Sequence, residues 1–248
     1  EICACLVGSE MCIRDRSKIA GAETYSGIYA LSNTSRGYTY NLSLTGKRSF
    51  DFGLDIMASY TYMKSKAHNN GTSSVAQSNW QYNYTFGNPN SDELANSSFN
   101  IPHSIRVSAF YTKKWKANQA TTVGLIYNGS SGISYCVCYN GDLNGDTGYN
   151  DLIYIPTDTE ADQMNFTATS SYTSEQQREN FKAWLASDDY MKKHRGEYFK
   201  RNVDNEKFEH HFDLHLSHRI NFMIGKSMRG LEISLDIINI GNILNKSW

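Results

Sequence analysis

Apolar and polar residues alternate with a period of two in six separate runs, and the runs come in pairs. In YTYNLSLTGKR, Tyr38, Tyr40, Leu42 and Leu44 oppose Thr39, Asn41, Ser43 and Thr45. After a turn expected at Gly46 to Ser49, FDFGLDIMASYTYM sets Phe50, Phe52, Leu54, Ile56, Ala58, Tyr60 and Tyr62 against Asp51, Gly53, Asp55, Ser59 and Thr61. Successive strand side chains point to opposite faces, so this alternation predicts strands with one apolar and one polar side. The second pair runs through Ile105, Val107, Ala109 and Tyr111 of SIRVSAFYTKKW, turns at Lys113 to Asn118, and returns as TTVGLIYNG. The third carries Phe208, Phe212, Leu214, Leu216 and Ile220 in FEHHFDLHLSHRINFMIG, turns around Lys226 to Gly230, and returns as LEISLDIINI. Short turns inside each pair predict three antiparallel hairpins.

The connections narrow the class. Those between hairpins, at residues 64–102 and 130–206, are long and polar, whereas loops beyond about 12–15 residues are uncommon in compact soluble domains. Short turns alternating with long loops characterise outer-membrane β-barrels. The runs also reach the roughly 9–11 residues of a tilted membrane strand. Phe50, Tyr60, Tyr62, Tyr111, Tyr127, Phe208 and Phe222 lie near the ends of the apolar faces, where interfacial girdles belong, and Asp51, Asp55, Arg106, Asp213, Arg219, Glu232 and Asp236 make the other face wet. The expected fold is all-β: an incomplete transmembrane antiparallel barrel of about six strands with long extracellular loops. One of those loops, TSEQQRENFKAWLASDDYMKKHRG, reads as a short helix with a capping box from Ser174 to Gln177 and an apolar side of Phe181, Trp184, Leu185 and Met191.

Composition agrees. The 248 residues include 17 Tyr and only three Pro, a mix that favours strands. No apolar run approaches the roughly 20 residues of a membrane helix, and a net charge of -1 gives no field for nucleic acid. The N-terminal stretch CLVGSEMCIRDRS stands apart. Back-translated with ordinary codons, residues 6–16 resemble the transposase adapter of short-read sequencing libraries, so residues 1–16 are expected to be an assembly artefact. Cys3, Cys5 and Cys12 fall in or beside that stretch, which leaves Cys136 and Cys138 as the cysteines of the protein proper.

From about Tyr25 to Trp248 the chain also resembles a known family, and residues 17–248 are expected to be its partial barrel domain. IYALSNTSRGYTYNLSL, YTYMKSKAHNNGTSSVAQSNWQYN, FNIPHSIRVSAFY, YNGDLNGDTGYNDLIYIP and KKHRGEYFKRN, in that order, are similar to the C-terminal barrel region of TonB-dependent outer-membrane receptors of the Oar-like branch. The resemblance implies a 22-stranded barrel around an N-terminal plug, in the outer membrane of a Gram-negative bacterium. It further implies contact with membrane lipid, coupling to the TonB complex through the plug, and transport of a substrate captured by the extracellular loops, with no enzymatic activity. Plug, TonB box and a terminal closing strand are absent from these 248 residues, so a fragment of a larger receptor is expected. A surface adhesion protein and a secreted calcium-dependent β-sheet enzyme are the competing readings.

Three stretches carry candidate chemistry. In YNGDLNGDTGYNDL, Asp142, Asn144 and Asp146 hold positions 1, 3 and 5 of a calcium-type loop. The helix-loop-helix pattern then fails, with Thr147 at position 6 and Ile153 at position 12, so Asn150 or Asp151 would have to close the shell; Asp142, Asn144, Asp146 and Asp151 are the expected calcium ligands. In EHHFDLHLSH, His211, Asp213 and His215 share one strand face and His210 and His218 the other, a pair-wise start for zinc that needs ligands from another strand. Trp80, Tyr82, Tyr84, Tyr135, Tyr139 and Tyr149 are loop aromatics suited to gripping a ligand.

Overall fold

In a computed structural model of the chain, the described residues are 33–90, 93–115 and 118–244. The adapter-like segment, its three cysteines and the last four residues lie outside them. Strands make up 45% of the described residues and helices 16%, and all the long strands pair antiparallel.

Six long strands form an up-and-down meander: β1 (Tyr38–Phe50), β2 (Leu54–Ala67), β3 (His103–Trp115), β4 (Gln119–Ser130), β5 (Glu209–Ile224) and β6 (Ser227–Ile237). Among the described residues the sheet is open, ending at β1 and β6. Three hairpins are therefore present as expected; the first turn falls elsewhere, the second is confined to the end of its expected stretch and the third is displaced toward the N-terminus. β1 runs on through Gly46 to Ser49 and stops at Phe50, and the turn is residues 51–53, closed by the Gly53 N–H donating to the Phe50 carbonyl at 2.9 Å. Gly53 decides the position: its φ is +95°, and a Cβ there would lie 2.4 Å from the Thr112 carbonyl oxygen. Lys113 and Lys114 are strand residues opposite Thr121 and Ala120, not turn residues. The last turn is Gly225 and Lys226, with φ +61° at Gly225, and Gly230 sits inside β6 opposite Asn221.

The register makes the two faces continuous. Ile56, Ala109, Leu125, Leu214 and Ile237 stand in one row across five strands, and Ala58, Val107, Tyr127 and Phe212 in the next. On the opposite face Ser59, Arg106, Asn128 and His211 form a row, and Arg219 faces Glu232 on β6. Hydroxyl pairs Thr39–Ser65, Ser43–Thr61 and Thr45–Ser59 tie β1 to β2 on that polar side. No apolar side chain of the six strands, glycine aside, is buried; Leu44 is 76% exposed, Ile233 69% and Leu125 48%. Every buried apolar side chain among the described residues lies elsewhere.

That elsewhere is a second compact unit. The chain divides into a sheet unit, Thr39–Ser65, Phe99–Ile133 and the residues from Asn205 on, and a loop unit that holds Lys66–Ser98 and Ser134–Asp204. The loop unit has its own core of Leu152, Ile153, Ile155, Leu185, Met191 and Phe199. Around it are helices α1 (Ala76–Gln81), α2 (Asp158–Gln163), α3 (Ser174–Ser187) and α4 (Asp189–Lys193), and a ribbon in which Tyr154 and Ile155 pair with Tyr198 and Glu197. More than one helix is thus present, and the expected one is divided. Its capping box is Thr173 with Gln176, one residue earlier than the Ser174 to Gln177 spacing, and Asp188 ends α3 by capping α4, its carboxylate accepting the Met191 N–H at 2.8 Å. Leu185 and Met191 are buried as their spacing requires, while Trp184 is exposed.

Candidate functional site

The turn from Asp142 to Asp151, in the loop unit, concentrates the polar chemistry. Asp142 organises its first half: one carboxylate oxygen accepts the N–H groups of Gly145 at 2.8 Å and Asp146 at 3.1 Å, and the other accepts that of Thr147 at 2.8 Å. Short acceptor side chains followed by glycine wrap the backbone this way because they bond to amides two to five residues on. Thr147 takes φ +73°, the left-handed backbone that calcium loops ordinarily give to a glycine at position 6.

The second half brings the remaining acids together. The Asn144 carboxamide donates from Nδ2 to Asp146 Oδ2 at 3.1 Å and to Asp151 Oδ1 at 2.9 Å, and the Leu143 N–H donates to Asp151 Oδ2 at 2.9 Å. Asn144, Asp146 and Asp151 therefore meet, with Asp142 at the exposed rim of the same turn. Asp146 is fully buried and Asp151 is 5% exposed, yet none of the three aspartates forms an ion pair among the described residues. Burial pushes the Asp146 carboxyl above the usual carboxylate range and the charges of Asp142 and Asp151 add to it, opposed by the Gly148 N–H and Asn144. Among the described residues no three His, Cys, Asp or Glu side chains converge closely enough to hold a metal by themselves, so a cation here would need carboxamide oxygens as well.

One such oxygen is in place. Asn150 is fully buried, and its Nδ2 donates to the carbonyls of Asn83 at 3.1 Å and Trp80 at 3.3 Å, which fixes the orientation of the amide. Its Oδ1 then points back into the turn with no hydrogen-bond partner. Gly148 marks the convergence: a Cβ there would lie 2.6 Å from Asn150 Oδ1 and 2.7 Å from Asp146 Oδ1.

Among the described residues the histidine strand assembles no zinc site. His215 bonds Asp236 at 2.6 Å, Asp213 accepts the Asn239 N–H at 2.7 Å, and His211 approaches Glu209 at 3.5 Å, each side chain with a partner of its own. On the other face His210 meets the Tyr127 hydroxyl at 2.9 Å and His218 that of Thr121 at 2.9 Å. The loop aromatics divide too: Tyr84 and Tyr135 pack against the loop core, whereas Tyr82 and Tyr149 are exposed.

Two features of the loop unit went unread in the sequence. The Tyr135 hydroxyl lies 2.5 Å from Asp188 Oδ2 and 2.9 Å from Asp204 Oδ2, and burial, then these two carboxylates, hold its proton far more tightly than an ordinary phenol does. Arg201, 6% exposed, reaches Asn83 Oδ1 with one terminal nitrogen and the Ala67 carbonyl with the other at 2.8 Å.

Cys136 and Cys138 are free thiols, and Cys136 donates to Asn202 Oδ1 at 3.3 Å. Burial pushes the Cys136 thiol up to about 11, against the pull of the Arg201 guanidinium. Since the thiolate is the nucleophile, Cys136 is expected to alkylate with iodoacetamide at pH 8 roughly a hundredfold more slowly than an unperturbed cysteine. Its rate should climb about tenfold per pH unit until the thiol titrates near 11. Peptide mass spectrometry reads both, and a rate that levels off below pH 9 would contradict the burial.

Compared with protein families, with curated proteins and with solved structures, the chain shows no significant match.

Proposed function

We propose that the chain is part of an Oar-like TonB-dependent receptor, a transporter of the Gram-negative outer membrane. On this reading the six-stranded meander is a stretch of a 22-stranded barrel wall, and the long connections are extracellular segments that capture the substrate. The observation that carries it is the continuous, uncovered apolar face. A half-buried sheet in water covers such a face with a second layer, whereas in a barrel wall the lipid covers it.

The dimensions agree with a bilayer. On β5 Phe212 and Phe222 share the apolar face. Ten residues at about 3.3 Å each span about 33 Å along the strand. At a tilt of about 40° this projects to about 25 Å, the height of the apolar band in outer-membrane barrels. Tyr60, Tyr127 and Phe212 cluster toward the long-loop end, with Tyr127 and Phe212 ring centroids 4.9 Å apart, and Phe50, Tyr111, Trp115 and Phe222 lie toward the turn end. The opposite face, with Asp55, Arg106, Asp213 and Glu232, suits a wet lumen. Coupling to the TonB complex would belong to the plug domain of the parent protein.

Sequencing the source DNA outward from the codon of Tyr38 and past that of Trp248 tests the assignment. The reading expects codons for a plug upstream, further alternating ten-residue runs downstream, and no adapter-like codons at residues 6–16. Genomic DNA that keeps those codons and stops directly after Trp248 would overturn it.

A further inference from the structure

We propose that the turn from Asp142 to Asp151 binds a calcium ion, held by the carboxylates of Asp142, Asp146 and Asp151 and by the carboxamide oxygens of Asn150 and Asn144. Two independent observations point to it. Two neighbouring carboxylates, Asp146 and Asp151, are buried without any cationic side chain paired to them, a placement that costs several kcal/mol per ion unless a counter-charge offsets it. Separately, Asn150 Oδ1 is a buried acceptor with no donor, oriented toward Asp146 by the two carbonyls that hold its Nδ2. A protein donor would satisfy one of these deficits; a single cation satisfies both.

Calcium fits better than magnesium. All the donors are oxygens, they are irregularly spaced, and they number more than four, which suits the flexible six-to-eight-fold shell of calcium more than a strict octahedron. In sequence, Asp142, Asn144, Asp146 and Asn150 occupy positions 1, 3, 5 and 9 of the loop, and Asp151 supplies the closing acid two residues before position 12. The Asn144 Nδ2 group now stands between Asp146 and Asp151, its partial positive charge where the ion would sit. Turning that amide over exchanges a donor for a ligand and lets the two carboxylates close in; it gives up the Asp146 N–H that Asn144 Oδ1 accepts at 2.9 Å, and that N–H keeps Asp142 Oδ1 as acceptor at 3.1 Å.

The ion would also knit the loop unit together. Asn150 holds the backbone of residues 80–83, and beside it the Thr85 N–H bonds the Asn150 carbonyl at 2.9 Å and the Leu152 N–H bonds the Thr85 carbonyl at 3.0 Å. Fixing the turn therefore fixes residues 80–85 against the segment that carries Leu152 and Ile153 into the core. The site lies wholly within the loop unit and stands whether or not the sheet enters a membrane.

The test uses the full chain, stripped with a chelator and titrated with terbium, whose emission is sensitised by nearby tyrosines such as Tyr149. Saturable emission is expected, displaced by calcium at concentrations at which magnesium leaves it intact. Asp146→Asn and Asp142→Asn keep an acceptor oxygen for the backbone amides but remove a ligand charge, and each should weaken binding at least tenfold. Asp162→Asn, an exposed acid on α2, should change nothing. Tryptic resistance in chelator serves as the folding control: if Asp146→Asn is cleaved faster than the parent chain, Asp142→Asn at the exposed rim decides. A flat titration would overturn the proposal, and so would emission that survives both substitutions.

Discussion

Leu125→Arg is expected to cost about 2–4 kcal/mol of the stability of the sheet in a bilayer, the penalty for a guanidinium at the midplane of a lipid-facing strand. Ile126→Arg, one residue along the same strand, should cost little. The contrast follows from the register together with the proposed barrel. Leu125 stands between Ala109 and Leu214 in the middle of the apolar face, while Ile126 stands between Ser108 and Asp213 on the polar one. In the proposed barrel an arginine at 126 would gain the Asp213 carboxylate as a neighbour and remain in water, and an arginine at 125 would have to snorkel or draw water into the hydrocarbon. Urea titration of the parent receptor folded into phosphatidylcholine vesicles reads the difference, because six strands with open edges do not span a bilayer by themselves. If both substitutions are neutral, both faces are in water and the barrel assignment fails.

The faces were legible because period-two patterning is a sum over many positions, so a misplaced turn does not disturb it. Moving the first turn from Gly46–Ser49 to residues 51–53 leaves Leu54, Ile56, Ala58 and Tyr60 on the apolar side. The turns themselves depend on single residues, Gly53 and Gly225, whose positive φ has no counterpart in alternation. Lys113 and Lys114 look like turn residues by charge, but the ladder to Thr121 and Ala120 is made by the backbone, which is indifferent to side-chain charge at a solvated end. The same division runs through the loop unit. Asp142, Asn144 and Asp146 could be read from spacing because the turn is local. Arg201 and its acceptor Asn83 are 118 residues apart, and nothing in either neighbourhood announces the other. Asp188 belongs to both classes: it lies inside an apparently continuous helical run, yet its side chain caps the next helix and so ends the first.

Phe199→Ala should be the most damaging single truncation in the loop unit. Phe199 is 1% exposed and packs with Leu152, Ile153, Ile155, Leu185 and Met191, its ring 4.9 Å from that of Tyr190 and 6.2 Å from that of Tyr135. Removing a buried phenyl ring forfeits its transfer free energy and leaves a cavity, together about 3–5 kcal/mol. This core is small and is assembled from segments far apart in the chain, with Leu152, Ile153 and Ile155 on one, Leu185 and Met191 on the α3–α4 pair, and Phe199 on a third. Little else is available to collapse into the space, so the cost should lie toward the upper end. Hydrogen exchange locates the effect. The Phe199 N–H is bonded to the Ile153 carbonyl at 2.8 Å and the Gly196 N–H to the Ile155 carbonyl at 2.7 Å. Where loop-unit opening governs exchange, both amides should lose protection by roughly three to four orders of magnitude. Amides in the centre of the sheet, those of Val107 and Leu125 among them, should keep theirs if the loop unit holds a core of its own. Equal loss at both places would mean that the two units unfold as one.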